Sequence, residues 1–302
     1  MQEIHQPGAY QYAFSRYVEP IARVQAGETV ALYTEDAFNG KVKTEQDMPS
    51  KVRGPYPNPQ TGPIYVEGAE PGDTLAVHII DIEPTRDWAV SALNPFFGGL
   101  TSTHLTYTLQ PPLPETVWIY QLKDGMLTHS KRLSFPWRPF LGTIATAPDL
   151  EAISTLTPYD QGGNMDVPDT KPGNIVYLPV RVSGAYFYTG DCHAGQGDGE
   201  LCGTALEITG RVTLRFELIK GKALKWPRIE SADEYMAVGS ARPMEDAARI
   251  AYGELIEWLV EMGWDRIEAY QALTQIGSLY VGNMVDTTYS LVAKIAKTYA
   301  NP

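Results

Sequence analysis

One glycine-rich segment, Gly190–Gly203 (GDCHAGQGDGELCG), concentrates the side chains of this sequence that could carry out chemistry. Its five glycines allow the backbone to approach a ligand closely. Residues two apart in an extended chain point to the same side, which would pair Asp191 with His193 and Asp198 with Glu200. Such a set could ligate a divalent metal, or it could divide into a general base and its orienting partner, whereas the alternative is a solvated hairpin loop. The polar side chains of the segment are Asp191, His193, Gln196, Asp198 and Glu200.

Two further segments could contribute to the same chemistry. The segment Gln161–Asp166 (QGGNMD) pairs glycines with Asn164 and Asp166. An asparagine there could donate to a carbonyl oxygen that becomes negative in a transition state, although glycine, asparagine and aspartate also form ordinary turns. In Gly62–Asp73 (GPIYVEGAEPGD), Glu67 follows a short apolar run, where partial desolvation would raise the pKa of its carboxyl group.

The cysteines and the other histidines are weaker candidates. Adjacent residues in an extended chain point apart, so His193 would not activate Cys192, which we expect to be a buried thiol. His78 lies between apolar residues of a predicted strand and is expected in the core, while His104 and His129 lack a partner at ligand spacing. The sequence contains no phosphate-binding loop, nucleotide-binding fingerprint, nucleophile elbow or EF-hand.

The surrounding sequence predicts mainly strands. Short runs rich in β-branched and aromatic residues alternate with turn residues. In the first of these runs apolar residues occupy both faces, which predicts a strand buried on both sides. The predicted strands cover residues 74–82, 116–122, 175–182, 185–188 and 211–219.

Helices are predicted only near the C-terminal end. Pro243 suits a first helical turn, an apolar stripe follows, and Gly263 supplies a stop. Asp265 would cap a second helix, with Glu268 placed as in a capping box and Gly277 at its end. We therefore expect one domain over residues 1–302, with a helical subregion at about 243–277. Its predicted class is α+β, mainly β, with an antiparallel β-sandwich-like core and C-terminal helices.

Composition narrows the choice of partners. The chain has 24 Lys and Arg against 36 Asp and Glu, a formal net charge of −12, which disfavours nucleic acid and anionic lipid. It contains no apolar run long enough to span a bilayer and no signal-peptide pattern at its start. Two cysteines cannot form a disulfide framework, so we expect a cytoplasmic protein with neither membrane nor nucleic-acid partners.

The three segments, in this order, resemble the acetamidase/formamidase family of amidohydrolases. The resemblance extends to RPFLGTIATAP (Arg138–Pro148) and to the helical tail, and it covers roughly residues 10–290. It implies hydrolysis of a short linear amide, such as formamide or acetamide, to a carboxylate and ammonia. It also implies a β-rich fold with C-terminal helices and a homo-oligomer, expected to be a dimer. Residues 58–62 and 88–103 fall in gaps of the resemblance and are expected to shape the substrate pocket.

The resemblance assigns roles to the candidate residues. The expected catalytic residues are Glu67, Asn164, Asp198 and Glu200; the expected substrate-binding residues are Gly163, Asp166 and Gln196; and the expected metal ligands are Asp191 and His193. A divalent metal such as zinc could activate water, with Asp198 or Glu200 as the general base and no organic cofactor. In a metal-free version, Glu67 and Glu200 activate water while Asn164 or glycine amides hold the oxyanion. The rival hypothesis is a noncatalytic β-sandwich that binds a metal ion or a small polar ligand through the acidic loop.

Overall fold

A computed structural model describes residues 1–101, 109 and 111–301, so the candidate His104 lies outside the described residues. Two large sheets, built mostly from antiparallel strands, make up the architecture. Helices of more than one turn occur, within the described chain, only towards its C-terminal end. The predicted α+β, mainly β class with C-terminal helices is confirmed.

The first sheet contains nine strands of the described chain. Neighbouring strands pair antiparallel, except for the parallel pair β1 and β4 at one edge. In spatial order the strands are β1 (Gln2–Ile4), β4 (Thr29–Thr34), β17 (Gly210–Ile219), β6 (Thr74–Pro84), β14 (Ile175–Pro179), β18 (Arg228–Glu230), β19 (Glu234–Ala241), β21 (Tyr289–Ala296) and β20 (Ser278–Asn283).

The second sheet contains ten strands of the described chain. Its main path runs through β10 (Leu133–Pro136), β9 (Met126–Ser130), β8 (Thr116–Lys123), β7 (Trp88–Leu93), β16 (Glu207–Ile208), β15 (Phe187–His193), β11 (Phe140–Ala145) and β13 (Gly162–Asn164). Beside this path, β5 (Gln60–Glu67) also pairs with β15, and β3 (Ala22–Gln25) pairs in parallel with β5. A small separate sheet joins β2 (Ala13–Phe14) to β12 (Ile153–Ser154).

The main core lies between the two large sheets. Phe187 of β15 and Phe216 of β17 meet edge to face, with their ring centroids 5.0 Å apart. Both side chains are fully buried, and each contributes about 1.5–3 kcal/mol of transfer free energy. Aliphatic residues from both sheets complete this core, among them Leu32, Leu75 and Leu214 of the first sheet and Ile64, Leu141 and Ile144 of the second. Packing between the two sheets therefore fixes the position of the strands in the second sheet.

Two helices cover the outer face of the first sheet. Met236 and Val238 of β19 point into the main core, whereas Ala237 between them packs against the helices, as the period of two requires. The helices are α2 (Met244–Glu261) and α3 (Arg266–Ile276); α1 (Pro49–Val52) and α4 (Lys297–Ala300) are single turns. Asp265 caps α3 as predicted, accepting hydrogen bonds from the backbone N–H groups of the second and third helical residues. No helix among the described residues is long and apolar enough to cross a membrane.

The structure corrects two details of the strand prediction. Strand β15 runs on through Asp191 to His193, so the first part of the predicted glycine-rich loop is strand. Gly190 lies within the strand and not in a turn. Glycine is needed there because the side chain of Gln60 packs close to its backbone, and a Cβ would lie 2.7 Å from Gln60 Oε1. On β6, Ile80 is 50% exposed because it is the extra residue of a bulge.

The structure also corrects the expectation that His78 belongs to the core. Its side chain stays partly exposed on β6, and its Nε2 lies 3.0 Å from Glu217 Oε2 on the neighbouring strand. Arg215 reaches the same ring. His78 is therefore part of a charged network at the surface.

Candidate active site

Adjacent strands of the second sheet place polar residues on one face. Glu207 of β16 lies directly opposite His193 of β15 in the strand register. Asp191 shares the face with His193 because the two residues are two apart on the same strand. On the other side of β15, Gly142 and Thr143 of β11 lie beside Asp191. The register of three strands thus brings two carboxylates to one imidazole.

Three further carboxylates arrive from connecting segments. Asp166 follows β13, Glu200 ends a short 3-10 turn (Asp198–Glu200), and Asp286 lies between β20 and β21. We call the six residues the acid–imidazole cluster; their exposure does not exceed 6%, so they are withdrawn from solvent. The cluster consists of Asp166, Asp191, His193, Glu200, Glu207 and Asp286.

The imidazole of His193 faces carboxylates with one nitrogen. Its Nε2 lies 3.3 Å from Asp191 Oδ1 and 3.5 Å from Glu207 Oε2. Asp166 Oδ1 is 4.0 Å away. The ring itself packs edge to face against Phe140, with the centroids 4.9 Å apart. His193 is therefore held in one orientation with Nε2 directed at the carboxylates.

Gln196 determines what the other ring nitrogen does. Its Nε2 donates to the backbone carbonyls of Asp166 at 2.9 Å and Gly282 at 3.0 Å, which uses both amide hydrogens. Its Oε1 must then face the ring, 3.1 Å from His193 Nδ1, and accept the proton of that nitrogen. Nδ1 is consequently a donor, which leaves Nε2 as the nitrogen that can bind a metal.

Burial and mutual repulsion raise the pKa values of four carboxyl groups. Burial and the neighbouring carboxylates hold the pKa of Asp166 well above its usual range. Burial does the same for Glu200, where Glu207 and Asp286 add to the effect although His193 opposes it. Burial raises the pKa values of Glu207 and Asp286 to about 7. Without a compensating cation these groups cannot all be ionised at neutral pH.

Asp191 and His193 shift each other in the opposite sense. Burial would raise the pKa of Asp191, but the charge of His193 and the hydrogen bonds that Asp191 receives lower it. Burial would lower the pKa of His193, but Glu207 and Asp191 raise it well above 6.5. The imidazolium is thus the only positive group of the cluster.

The donor set fits a divalent metal. Four buried polar atoms of the cluster have no hydrogen-bond partner in the described chain: Asp166 Oδ1, His193 Nε2, Glu207 Oε2 and Asp286 Oδ1. Three overlapping groups of three side chains bring their ligand atoms within 4.8 Å of one another. Each pair of groups has one residue in common, which is His193, Asp166 or Glu200. The possible cation positions therefore lie next to one another. One imidazole nitrogen with several carboxylate oxygens is a donor set that can hold zinc or another divalent ion.

Two asparagines orient the carboxylates across the boundary between the sheets. Asn164 Nδ2 donates to Asp286 Oδ2 at 2.7 Å, and Asn283 Nδ2 donates to Asp166 Oδ2 at 2.6 Å. The second hydrogen of Asn164 goes to Asp166, at 3.1 Å. Both amide hydrogens of Asn164 are therefore used inside the protein, which makes it a residue that positions carboxylates.

A cavity of about 310 Å³ opens onto the cluster. At its buried end lie carboxylates of the cluster together with Asn164. The rest of its lining includes apolar side chains, of which Phe96 is 41% exposed and Phe38 is buried. The predicted pocket-shaping segments contribute Asn58 and residues 94–97. The apolar border is formed by Phe38, Pro57, Pro95, Phe96, Phe97 and Leu156.

The structure brings together most of the residues singled out in the sequence. Asp166, Asp191, His193 and Glu200 belong to the cluster, and Asn164 and Gln196 are hydrogen-bonded to it. Three others lie elsewhere.

Glu67, Asp198 and Gly163 make no contact with this cavity. Glu67 forms an ion pair with Arg23 Nε at 2.6 Å on the surface. Asp198 is exposed and borders a separate open groove. Glu200 borders the same groove, but it also lines the cavity, whereas Asp198 does not. Gly163, with φ of 106°, shapes the backbone before Asn164.

Sequence reasoning missed Glu207, Asp286, Asn283 and Gly142. A signal was available for Asn283 and Asp286, because the tripeptide Gly-Asn-Met followed by Asp occurs twice: directly in GNMD (163–166) and with one residue inserted in GNMVD (282–286). Glu207 is a lone acid in the apolar stretch ALEI, which is typical of a functional position on a buried strand. Gly142 carries no signal of its own.

Known proteins similar to this chain share its fold along its whole length. The acetamidase of Yersinia enterocolitica has 43% identity and a TM-score of 0.97, covering 100% of this chain and 93% of that protein. The acetamidase of Bacillus halodurans has 32% identity and a TM-score of 0.90, covering 98% of each chain.

Curated relatives match over a shorter stretch. The formamidase of Methylophilus methylotrophus is 30% identical over 215 residues, which are 55% of this chain and 53% of that protein. The acetamidase of Mycolicibacterium smegmatis is 29% identical over 220 residues, which are 53% of each. The chain thus spans about half the length of these curated relatives. Residues 5–154 and 149–287 match the model of the Acetamidase/Formamidase family, and the chain therefore belongs to that family.

Proposed function

We propose that the protein hydrolyses the amide bond of a small linear amide to a carboxylate and ammonia. The observation that carries this proposal is the buried acid–imidazole cluster at the end of a cavity of about 310 Å³. Four possible metal-ligand atoms of the cluster have no hydrogen-bond partner in the described chain. Membership of the acetamidase/formamidase family supports the same reaction. Formamide and acetamide are the first substrates to test, because relatives carry their names.

The residues that would hold a divalent metal, zinc or a similar ion, come from the cluster. Asp166, Asp191 and His193 form one group of possible ligands, and Glu200 with Glu207 or Asp286 completes the adjoining groups. Such an ion supplies Lewis-acid polarisation of the amide carbonyl and lowers the pKa of a bound water. The sequence-based metal ligands Asp191 and His193 stay in this proposal, with Asp166 moved from substrate binding to metal binding.

With an ion held by Asp166, Asp191 and His193, Glu200 would stay uncoordinated and has the position expected of the proton carrier. It is the only carboxylate of the described chain that lines both the 310 Å³ cavity and the open groove behind the 3-10 turn. From the cavity wall it can take a proton from the attacking water and pass it to the departing nitrogen. Asn164 and Gln196 hold the carboxylates and the imidazole in place, so we assign them positioning roles.

Metal removal tests this proposal. Protein stripped with a chelator should release little ammonia from a panel of formamide, acetamide, propionamide and butyramide, and addition of zinc should restore the rate. Metal content is measured on the same samples by mass spectrometry. Full activity in a demonstrably metal-free sample would remove the metal from the proposal. No ammonia from any amide, with or without added zinc, manganese or cobalt, would contradict the hydrolase function itself.

We further propose that the enzyme works as a cytoplasmic homodimer. Cys192 and Cys202 are both free thiols in the structure, which suits a reducing compartment. Light scattering behind a sizing column distinguishes one 33.4 kDa chain from two.

A further inference from the structure

One positive side chain lines the cavity. Arg53, which directly follows α1, borders it together with apolar residues such as Phe38 and Leu156. The remaining charged groups of the lining are carboxylates of the cluster. Within the described lining the cavity is therefore negative at its buried end, apolar along its wall and positive at one further point.

Arg53 has no ion-pair partner among the described residues. Other arginines withdrawn from solvent do have one: Arg86 meets Asp36 at 2.6 Å, and Arg228 meets Glu254 at 2.7 Å. The residues that are not described, 102–108, 110 and 302, include no Asp or Glu side chain that could pair with it. Burial also lowers the pKa of Arg53, so its charge lacks full compensation by water.

Glu115 is the carboxylate whose charge acts on Arg53, but it is hydrogen-bonded to another residue. Burial lowers the pKa of Arg53 and the charge of Glu115 opposes this effect, but the two side chains do not form an ion pair. Instead its two oxygens accept hydrogen bonds from Ser50, at 2.8 Å from the backbone N–H and 2.6 Å from the hydroxyl. Among the described residues no carboxylate therefore forms an ion pair with Arg53, a residue that lines the cavity.

The cavity is also larger than the smallest amides require. A volume of about 310 Å³ lies within the range of pockets that hold drug-sized ligands. Formamide and acetamide have only a few non-hydrogen atoms and would leave most of this space to water. A longer substrate would fill the apolar wall and displace that water.

We propose that the cavity takes the monoamide of a short dicarboxylic acid, whose free carboxylate pairs with Arg53 while its amide lies at the acid–imidazole cluster. This inference rests on the proposed amide hydrolysis and names the substrate class. The orientation follows from charge: the cluster repels the substrate carboxylate, and Arg53 attracts it with a geometry suited to two parallel hydrogen bonds. The apolar wall then packs against the connecting methylene groups.

Binding of analogues that cannot be hydrolysed tests the inference without relying on turnover. Levulinate is the methyl-ketone analogue of succinamate, and isoamyl methyl ketone has the same shape with methyl groups in place of the carboxylate oxygens. We expect levulinate, or its homologue one methylene longer, to bind at least tenfold more tightly than the matching neutral ketone in calorimetry of the zinc-loaded protein. Equal affinities for the acid and the neutral ketone would overturn the inference.

Substitutions then assign the effect to one side chain. R53M should reduce the affinity ratio of levulinate to the neutral ketone at least tenfold, and R53K should keep part of it. K51M removes one positive charge two residues before Arg53, but Lys51 does not line the cavity, so this variant should leave the ratio unchanged. If R53M weakens both ligands equally, Arg53 merely supports the cavity wall and the inference fails.

Ammonia release separates this failure from failure of the proposed function. Succinamate and glutaramate are compared with their neutral isosteres, isocaproamide and its homologue, in kcat/KM. Turnover with preference for the neutral amides rejects the role of Arg53 and retains the hydrolase. Selective binding of levulinate with no turnover of any amide rejects the hydrolase and retains the Arg53 site.

Discussion

At the scale of single residues, the acid–imidazole cluster depends on glycine at position 142, which has no side chain. A Cβ on Gly142 would lie 2.6 Å from Asp166 Oδ1, 2.6 Å from Asp191 Oδ2 and 2.8 Å from His193 Cε1. Glycine at this position of β11 therefore leaves the space between three possible metal ligands open. The requirement is steric, because Gly142 is not among the residues with positive φ.

We predict that G142A abolishes metal binding and lowers amidase activity at least a hundredfold, because the methyl group occupies the space between the ligands. Metal content by mass spectrometry and ammonia release check this on the same preparation. The control is G253A on the exposed face of α2, where a Cβ meets nothing within 4 Å. It should keep full activity and stabilise the helix by about 1 kcal/mol. A G142A protein that retains bound metal would refute the steric account.

At the scale of elements, turns orient the residues of the site, and two helices pack against the first sheet. Nine residues other than glycine have positive φ in the described chain, a conformation that costs about 1–3 kcal/mol for residues of this kind. Five of the nine line the cavity or belong to the cluster, so the strained backbone is concentrated where carboxylates must converge. They are Asn58, Phe96, Asp166, Asp191 and Glu200.

The cap of α3 gives a prediction that separates stability from activity. Asp265 accepts hydrogen bonds from the backbone N–H of Ile267 at 2.9 Å and of Glu268 at 3.0 Å. We expect D265A to lose about 1 kcal/mol of unfolding free energy and to lower Tm by about 2 °C, as seen by calorimetry. The ammonia-release rate should not change, since α3 packs on the outer face of the first sheet. D265N, which keeps an acceptor, should recover most of the loss.

The elements that sequence patterns predicted well are those with local causes. The cap at Asp265 and the apolar stripe before it involve neighbours within a few turns, and both are confirmed. The extent of β15 was missed because Gly190 resembles a loop residue locally, whereas its reason lies in contact with Gln60, far along the chain. Glu207 joins the site only through its register with His193, and no local pattern fixes that register.

At the scale of the whole molecule, the buried charges link stability to pH and to metal. Burial raises the pKa of Glu207 to about 7 in the folded state, against 4.5 for the ordinary side chain. A raised folded-state pKa contributes stability below the unfolded value, and this contribution is lost as the pH rises through the folded value. The metal-free protein should therefore lose stability between about pH 4.5 and pH 7 on account of this group.

We predict that E207Q changes the Tm of the metal-free protein in a pH-dependent way. At pH 5 the glutamine replaces a protonated carboxyl group of the same shape, so the two Tm values should agree closely. At pH 8 the wild-type protein carries an extra buried negative charge, and the variant should melt several degrees higher. Thermal scans across this range measure the difference. A constant offset at both pH values would show that Glu207 is not the group responsible.

The exchange of hydrogen bonds between Asn164 and Asp286 and between Asn283 and Asp166 has a consequence for assembly. Asn283 ends a strand of the first sheet, Asp166 follows a strand of the second, and 117 positions separate them along the chain. Asp286 is the one residue of the acid–imidazole cluster that comes from between strands of the first sheet, so the proposed ligand group Asp166, Glu200 and Asp286 is complete only when the two sheets are packed together. We therefore expect that separation of the sheets would break up this ligand group and release an ion proposed to bind there.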